Sequence, residues 1–340
     1  MAERRAEHNV EGADASSVGM VGKVDPETLA RVIAGTGASS AAVGVGPGFG
    51  EDAAAIELGD RTLVVSSDPI SLAAERIGTL GVHVACNDVA ASGGDPEWLT
   101  SVLLLPADAD DATIDAIVGD LDREAAALDA TIVGGHTEYV DQLERPLLSL
   151  TAIGTTDRFT STGGAEPGDR VVLTKGAGIE ATAILATDFA DELGLPADAV
   201  DAATAFFEEI SVVPESRILR EHATAMHDPT EGGVLGGLVE LAGAADVGIK
   251  VERAAVPIRE ATEQVCATMG VDPLRTFGSG ALLATLPADR VDAALAALDD
   301  AGIEGAEIGR VVERRERSGV DLDGEFFAEP PRDELYPLWE

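Results

Sequence analysis

The chain has 340 residues, 45% of them hydrophobic, enough for two ordinary domains that each bury a core. Its 62 acidic residues against 23 basic ones give a net charge of −39, which excludes nucleic acid and anionic membrane surfaces as partners, and no run approaches the ~18 apolar residues of a membrane helix. Two cysteines, Cys86 and Cys266, are too few for a disulfide framework and match no zinc spacing, so the expected setting is a reducing cytoplasm.

The acidic excess runs through nearly every surface-like segment, including 108–111 and 198–201. It reads as adaptation to the very salty cytosol of an extreme halophile, where a Debye length of about 3 Å screens the self-repulsion. Function need not explain it.

In chain order, residues 1–22 read as a flexible arm. Asp25 is placed to cap a helix that has Pro26 at its first position and Leu29, Val32 and Ile33 as its apolar stripe. The pattern continues as strands Ala53–Leu58 and Leu63–Ser66, a helix Leu72–Ala91, a strand Leu99–Leu105 and a helix from about Thr113 to Leu128. Thr131–Val133 and Leu147–Gly154 are strand-like. A Gly/Ser/Thr-rich break at 160–169 separates an N-terminal domain, 23–158, from a C-terminal one, 165–315, with 316–340 as an acidic tail. The second domain reads as strand Arg170–Thr174, helices Ile179–Phe189, Ala199–Ile210 and Leu235–Ala242, strand Ala281–Leu286 and helix Val291–Ala301. Strands and helices mix in both halves, so the class is α+β rather than doubly wound.

Four acidic segments carry the chemistry. In the Leu72–Ala91 helix, Ile77, Leu80, Val84 and Asp88 share one face, so Asp88 continues a buried stripe. A buried, unpaired carboxylate wants a cation or strong donors; the plainer reading is a helix-end residue bonding the Gly93-Gly94 turn. Asp52 follows Gly46-Pro47-Gly48-Phe49-Gly50, where Gly48 and Gly50 would let backbone approach a ligand, although the segment is neither a P-loop nor a dinucleotide fingerprint. Asp68 ends the strand before Pro69, where a turn is the alternative. Three converging carboxylates would repel one another unless a divalent cation lay between them, and Mg²⁺ with phosphates needs only one or two of them. Asp52, Asp68 and Asp88 are therefore the candidate metal ligands, in an enzyme that uses ATP.

Asp228 precedes Thr230, a candidate cap for a helix holding Gly232, Gly233, Gly236 and Gly237; close packing and phosphate binding both account for such glycines. His227 reads as a proton shuttle or a structural histidine. Thr137 and Glu138, in Gly134-Gly135-His136-Thr137-Glu138 after a strand, are placed to meet a ligand. His83, Cys86 and His136 suggest packing before zinc.

Taken in order, these segments resemble the superfamily of aminoimidazole ribonucleotide (AIR) synthase, which includes the hydrogenase maturation factor HypE, thiamine-monophosphate kinase and selenophosphate synthetase. The resemblance covers about residues 23–315. Gly50-Glu51-Asp52-Ala53-Ala54 is similar to the family's Gly-Asp-Asp-Ala-Ala, and Asn87-Asp88-Val89-Ala90-Ala91 with Gly94 and Pro96 to its Asn-Asp helix end. Gly134-Gly135-His136-Thr137-Glu138 resembles its Gly-Gly-X-Thr loop. Asp228-Pro229-Thr230-Glu231-Gly232-Gly233 is nearest the HypE form, with Glu231 in place of arginine.

The resemblance implies a two-domain AIR synthase-like fold, with the N-terminal halves of two subunits forming a dimeric β-barrel and the C-terminal half an α/β sandwich. It implies ATP and Mg²⁺ as cofactors, held by Asp52, Asp68 and Asp88, with Thr137 and Glu138 placing nucleotide and Asp228 facing a small-molecule substrate. The shared chemistry is phosphorylation of an amide or carbonyl oxygen. A homodimer and a protein partner in maturation are the implied associations. HypE proper carries a C-terminal cysteine that accepts a carbamoyl group, whereas here the sequence reads Glu334-Leu335-Tyr336-Pro337-Leu338-Trp339-Glu340. The expectation is a HypE-like enzyme acting on another small substrate. AIR synthase itself, thiamine-monophosphate kinase and a non-catalytic ATP-binding dimer are the rivals.

Overall fold

The computed structural model describes residues 22–24, 26–35, 40–71 and 75–339. The expected Asp25 cap, the Leu72 helix start and nearly all of the arm lie outside these residues.

The N-terminal half runs α1 (Pro26–Ala34), β1 (Val43–Val45), β2 (Ala54–Leu58), β3 (Arg61–Ile70), α2 (Ile77–Ala91), β4 (Asp95–Pro106), α3 (Asp111–Ala127), β5 (Thr131–Val140) and β6 (Leu147–Thr156). These strands form a six-stranded sheet in the order β1-β2-β3-β6-β4-β5, antiparallel throughout except for β4 and β5. The parallel pair needs a crossover, and α3 supplies it. Asp110 starts α3 by accepting the Thr113 N–H at 2.8 Å. Along β6 the buried residues alternate, and Leu148, Leu150 and Ala152 face α2. Gly81 lets that helix lie flat on the sheet, since a Cβ there would stand 2.7 Å from both leucines.

Two strand readings change. β3 continues through Asp68 and Pro69 to Ile70, paired with β6 along its length. Its pairing with β2 stops at Val65, and a proline is tolerated in a strand with one free side. β5 extends seven residues past Val133, so Thr137 and Glu138 lie in a strand rather than a loop. The six strands form an open sheet in the single chain, with no closed barrel among the described residues.

The C-terminal half runs β7 (Arg170–Thr174), α4 (Ile179–Asp188), α5 (Ala190–Leu193), α6 (Ala197–Thr204), α7 (Val213–Leu219), β8 (Ala225–His227), α8 (Gly233–Ala244), β9 (Gly248–Val251), α9 (Glu260–Met269), β10 (Leu283–Leu286), α10 (Val291–Asp300), β11 (Gly305–Val312), β12 (Gly319–Leu322) and β13 (Glu325–Phe327). Its seven-stranded mixed sheet has the order β13-β12-β9-β11-β7-β10-β8. On one face Val171, Leu173, Ile249 and Val311 pack against Leu235 and Leu238 of α8. On the other, Val172 and Ala284 meet Leu219 of α7 and Leu298 of α10.

The expected Ala199–Ile210 helix instead ends at Thr204 and tightens into a 3₁₀ turn, Ala205–Glu209, that buries Phe206 and Phe207. The segment after 315 is no separate tail. β12 and β13 complete the sheet, and Leu335 and Tyr336 join the α4 and α9 core, with Tyr336 edge-on to Phe277 at 5.6 Å.

Candidate active site at the domain seam

α2 is buried along its whole length and delivers Asp88 one turn from its end, facing β3. Ser66 and Asp68 lie two apart on β3 and so share a face. The Ser66 hydroxyl lies 2.6 Å from Asp88 Oδ2 and 2.9 Å from Asp68 Oδ2, and its single proton serves one carboxylate at a time. Burial, and then the charges of Asp68 and Asp52, push the Asp88 carboxyl well above the usual carboxylate range. Next to it, Asn87 ties the domains together. Its amide donates to Ile210 O at 2.9 Å and accepts from Val212 N at 2.8 Å.

From the other domain, β8 presents His227 and Asp228, both buried. His227 Nδ1 stands 2.7 Å from Asp52 Oδ1, an ion-pair contact off the hydrogen-bond direction, and Nε2 lies 3.1 Å from Glu240 Oε2 of α8. Lys23 Nζ continues the series, 3.2 Å from Glu240 Oε1 and 3.0 Å from Thr230 Oγ1. The result is an alternating chain of charges: Lys23, Glu240, His227, Asp52. Burial favours neutral imidazole at His227, but Asp52 and Glu240 overcome it and hold the ring up at about 10. Burial likewise opposes charge on Glu240, yet Lys23 and His227 draw its carboxyl down to about 2.

Asp228 ends this arrangement. Burial followed by the Asp52 charge raises its carboxyl well above normal, with His227 and the Asn87 amide opposing, although no group makes a well-aligned hydrogen bond to either oxygen. Glu180 of α4 also bears on Asp228 and is itself pushed up to about 7 by burial.

The structure thus brings Asp52, Asp68, Asp88, His227 and Asp228 to one seam. It does not bring Thr137 and Glu138 there. Three inter-strand steps, about 14 Å at the usual spacing, separate β3 from β5, and in the single chain both side chains are exposed, with Glu138 bonded to His136 at 3.1 Å. Gly50 serves packing: its φ is +78°, and a Cβ would meet Glu240 O at 2.7 Å, while Gly48 has no such constraint. The α8 glycines pack as well. Gly237 would clash with Pro229 and Gly233 with Thr276 O, and the helix is capped by Gly232 rather than Thr230. The Gly232 N–H that a phosphate would take donates instead to Asp333 at 2.8 Å. His83 is bonded to Glu124 of α3 at 3.2 Å, on a helix where Cys86 is buried, and His136 is exposed on β5.

Sequence reasoning passed over Lys23, Ser66, Glu240 and Asp333. Two carried a signal: Lys23 is one of three lysines, and Glu240 is the single charged residue of an apolar helix.

No three His, Cys, Asp or Glu side chains converge closely enough to hold a metal by themselves, among the described residues. Mg²⁺ bound with phosphates needs one or two carboxylates. Asp88 beside Asp68, with the poorly satisfied oxygens of Asp228, is a hard-oxygen donor set with more carboxylates than His227 can balance, so these residues fit a Mg²⁺–phosphate group. Asp52 is partly committed, because His227 holds one of its oxygens.

The sequence matches the family model "AIR synthase related protein, N-terminal domain" over residues 50–156 and the corresponding C-terminal domain over residues 166–321. The chain belongs to the AIR synthase-related protein family. Carbamoyl dehydratase HypE of Azotobacter vinelandii is 31% identical over 77% of this chain and 78% of its own length. A thiamine-monophosphate kinase of Halobacterium salinarum is 30% identical over 82% of this chain and 92% of its own. A solved structure of HypE in complex with ATP superposes with a TM-score of 0.69 at 26% identity, covering 81% of this chain and 87% of that one. In this AIR synthase-related chain the stretch between the two matched regions belongs to the seam, where Ser161 donates to Glu51 at 2.8 Å and Thr162 stands 3.5 Å from Asp52.

Proposed function

We propose that the chain is an ATP- and Mg²⁺-dependent, HypE-like enzyme of the cytoplasm that phosphorylates an amide or carbonyl oxygen of a small substrate. The observation that carries the reading is the crowding of two buried carboxylates, Asp88 and Asp228, with Asp52 and Asp68 at the seam, which raises both well above the usual carboxylate range although His227 opposes the rise at Asp228. Such groups are costly unless a ligand completes them. In this reading Asp88 and Asp68 would hold Mg²⁺, which would in turn hold the phosphate oxygens and neutralise their charge. The substrate oxygen attacks the γ-phosphorus, ADP leaves, and Asp228 takes or holds a proton of the substrate nitrogen. For a primary carboxamide, loss of inorganic phosphate together with the second N–H proton then completes the dehydration. His227 acts as a fixed cation that orients Asp52 rather than as a proton shuttle, because carboxylates on both sides keep its ring charged.

The functional unit is proposed to be a homodimer. The free edge of β5, with Val133 and Tyr139 57% and 59% exposed and Trp98 and Val102 exposed on the adjoining β4, is suited to join a second copy's sheet into a barrel. The nucleotide role of Thr137 and Glu138 rests on that pairing. A protein partner in maturation is also part of the proposal, by likeness to HypE.

The high coverage of the thiamine-monophosphate kinase relative keeps a kinase as the second reading. Product analysis separates the two. With ATP and small carboxamides, the proposed enzyme releases ADP and inorganic phosphate in equal amounts; with thiamine monophosphate, a kinase yields ADP and a product that keeps the phosphate. ATP bound without turnover on any acceptor would select a regulatory dimer.

A further inference from the structure

Away from the seam, Arg170 on β7, Arg310 on β11 and Lys250 on β9 stand directly opposite one another across three neighbouring strands. Cross-strand partners project from the same face with Cβ atoms about 5 Å apart, and like charges so placed repel. This chain has 23 basic residues among 340, and three of them are aligned here. The row begins where helical cover ends: Val172, two residues along β7 and on the same face, is buried in the core under α7 and α10. The three side chains line an open hollow of about 320 Å³.

Of the carboxylates around the hollow, one pairs with the row itself and two are bonded outside it. Glu307 pairs with Arg170 at 3.4 Å. Asp321, the next rung beyond Lys250, accepts the Gly324 N–H at 2.9 Å and faces Arg315 at 3.8 Å. Asp323 accepts the Arg253 N–H at 3.3 Å. Among the described residues, the side chains of Arg310 and Lys250 have no ion-pair or hydrogen-bond partner, and Glu252 is the one rim carboxylate left to answer them.

We propose that the Arg170–Arg310–Lys250 row is a second anion site, which takes the phosphate chain of a small di- or triphosphate-bearing molecule and is separate from the seam. Two neighbouring guanidinium groups and an ammonium offer charge-assisted donors over a span of about 10 Å, which suits a short phosphate chain. The surrounding ring of Glu307, Asp321, Asp323 and Glu252 admits a compact anion and repels an extended acidic peptide running over the rim. The inference does not depend on the chemistry proposed for the seam.

The test is calorimetric titration with inorganic tripolyphosphate, in the presence of a chelator, of the native protein, the Lys250→Ala/Arg310→Ala double variant and Asp88→Asn. The expected result is binding to the native protein that weakens about tenfold or more in the double variant and is unchanged in Asp88→Asn. The ligand-free double variant should melt no lower than the native protein, since a repulsion has been removed; Lys250→Gln alone, with several-fold weaker binding, gives the same reading if the double variant fails to fold. No binding to the native protein, equal binding by the native and double-variant proteins, or a loss confined to Asp88→Asn would each overturn the proposal.

Discussion

Glu124 shows how one buried carboxylate is made to keep its charge. His83, then Arg123 and Thr79, donate to it, and these bonds outweigh its burial to draw the carboxyl down from 4.5 to about 2. Because the folded value lies below the unfolded one, this stabilisation is present above pH 4.5 and is lost as the pH falls toward 2. Glu124→Gln should therefore cost ~1.5–3 kcal/mol at neutral pH, with the gap to the native protein closing across that acid window in denaturant melts. A gap that stays constant with pH would mean that packing, and not charge, holds α3 to α2. Asp333 does a similar job for α8: its two oxygens accept the Gly232 and Leu335 N–H groups, although burial lifts its carboxyl to about 7. Asp333→Ala should lower stability by ~0.5–2 kcal/mol, the usual loss on removing a helix cap, measured by thermal melting.

Among the elements, the helices were the most legible. The helix carrying Asp88 was found, although α2 is buried on every side, so the stripe through Ile77, Leu80 and Val84 does not single Asp88 out, and the Thr113–Leu128 expectation missed the ends of α3 by a residue or two. Strands were harder, for physical reasons. Pro69 reads as a turn residue, but the one-sided pairing of β3 tolerates it, which carries Asp68 into the strand and onto the α2 side. Gly134-Gly135 reads as a loop, yet β5 runs through it, because close approach to Ser101 O leaves no room for a Cβ at Gly135. The short strands β8, β9, β12 and β13 have three or four residues each, too few for a period to emerge. At this scale the β5 edge gives a direct prediction. Val133→Lys should place charge on the pairing surface and convert a dimer to a monomer in light scattering, leaving the melting of the monomer within about 0.5 kcal/mol of native. A native monomer, or a dimer indifferent to the change, would remove the barrel from the account.

For the whole molecule, the two-domain plan and the five seam residues Asp52, Asp68, Asp88, His227 and Asp228 were accessible to sequence reasoning, although Asp68 lies inside β3 and not at the strand end that singled it out. The relay that fixes them was not. Lys23, Glu240 and Ser66 come from three separate segments and acquire meaning once α8 packs against the loop at Gly50 and β3 lies under α2. The seam therefore concentrates more buried carboxyls than Lys23 and His227 can balance, and the account rests on a cationic ligand to complete them. Titration of the protein with ATP, with and without Mg²⁺, on the native chain and on Asp88→Asn, tests this most directly. The predicted result is Mg²⁺-dependent binding that is at least about tenfold weaker in the variant, while the variant melts at or above the native temperature because a buried carboxyl crowded by Asp68 and Asp52 has become an amide. A folded native protein that binds no ATP, or an Asp88→Asn protein that binds it equally well, would contradict the account.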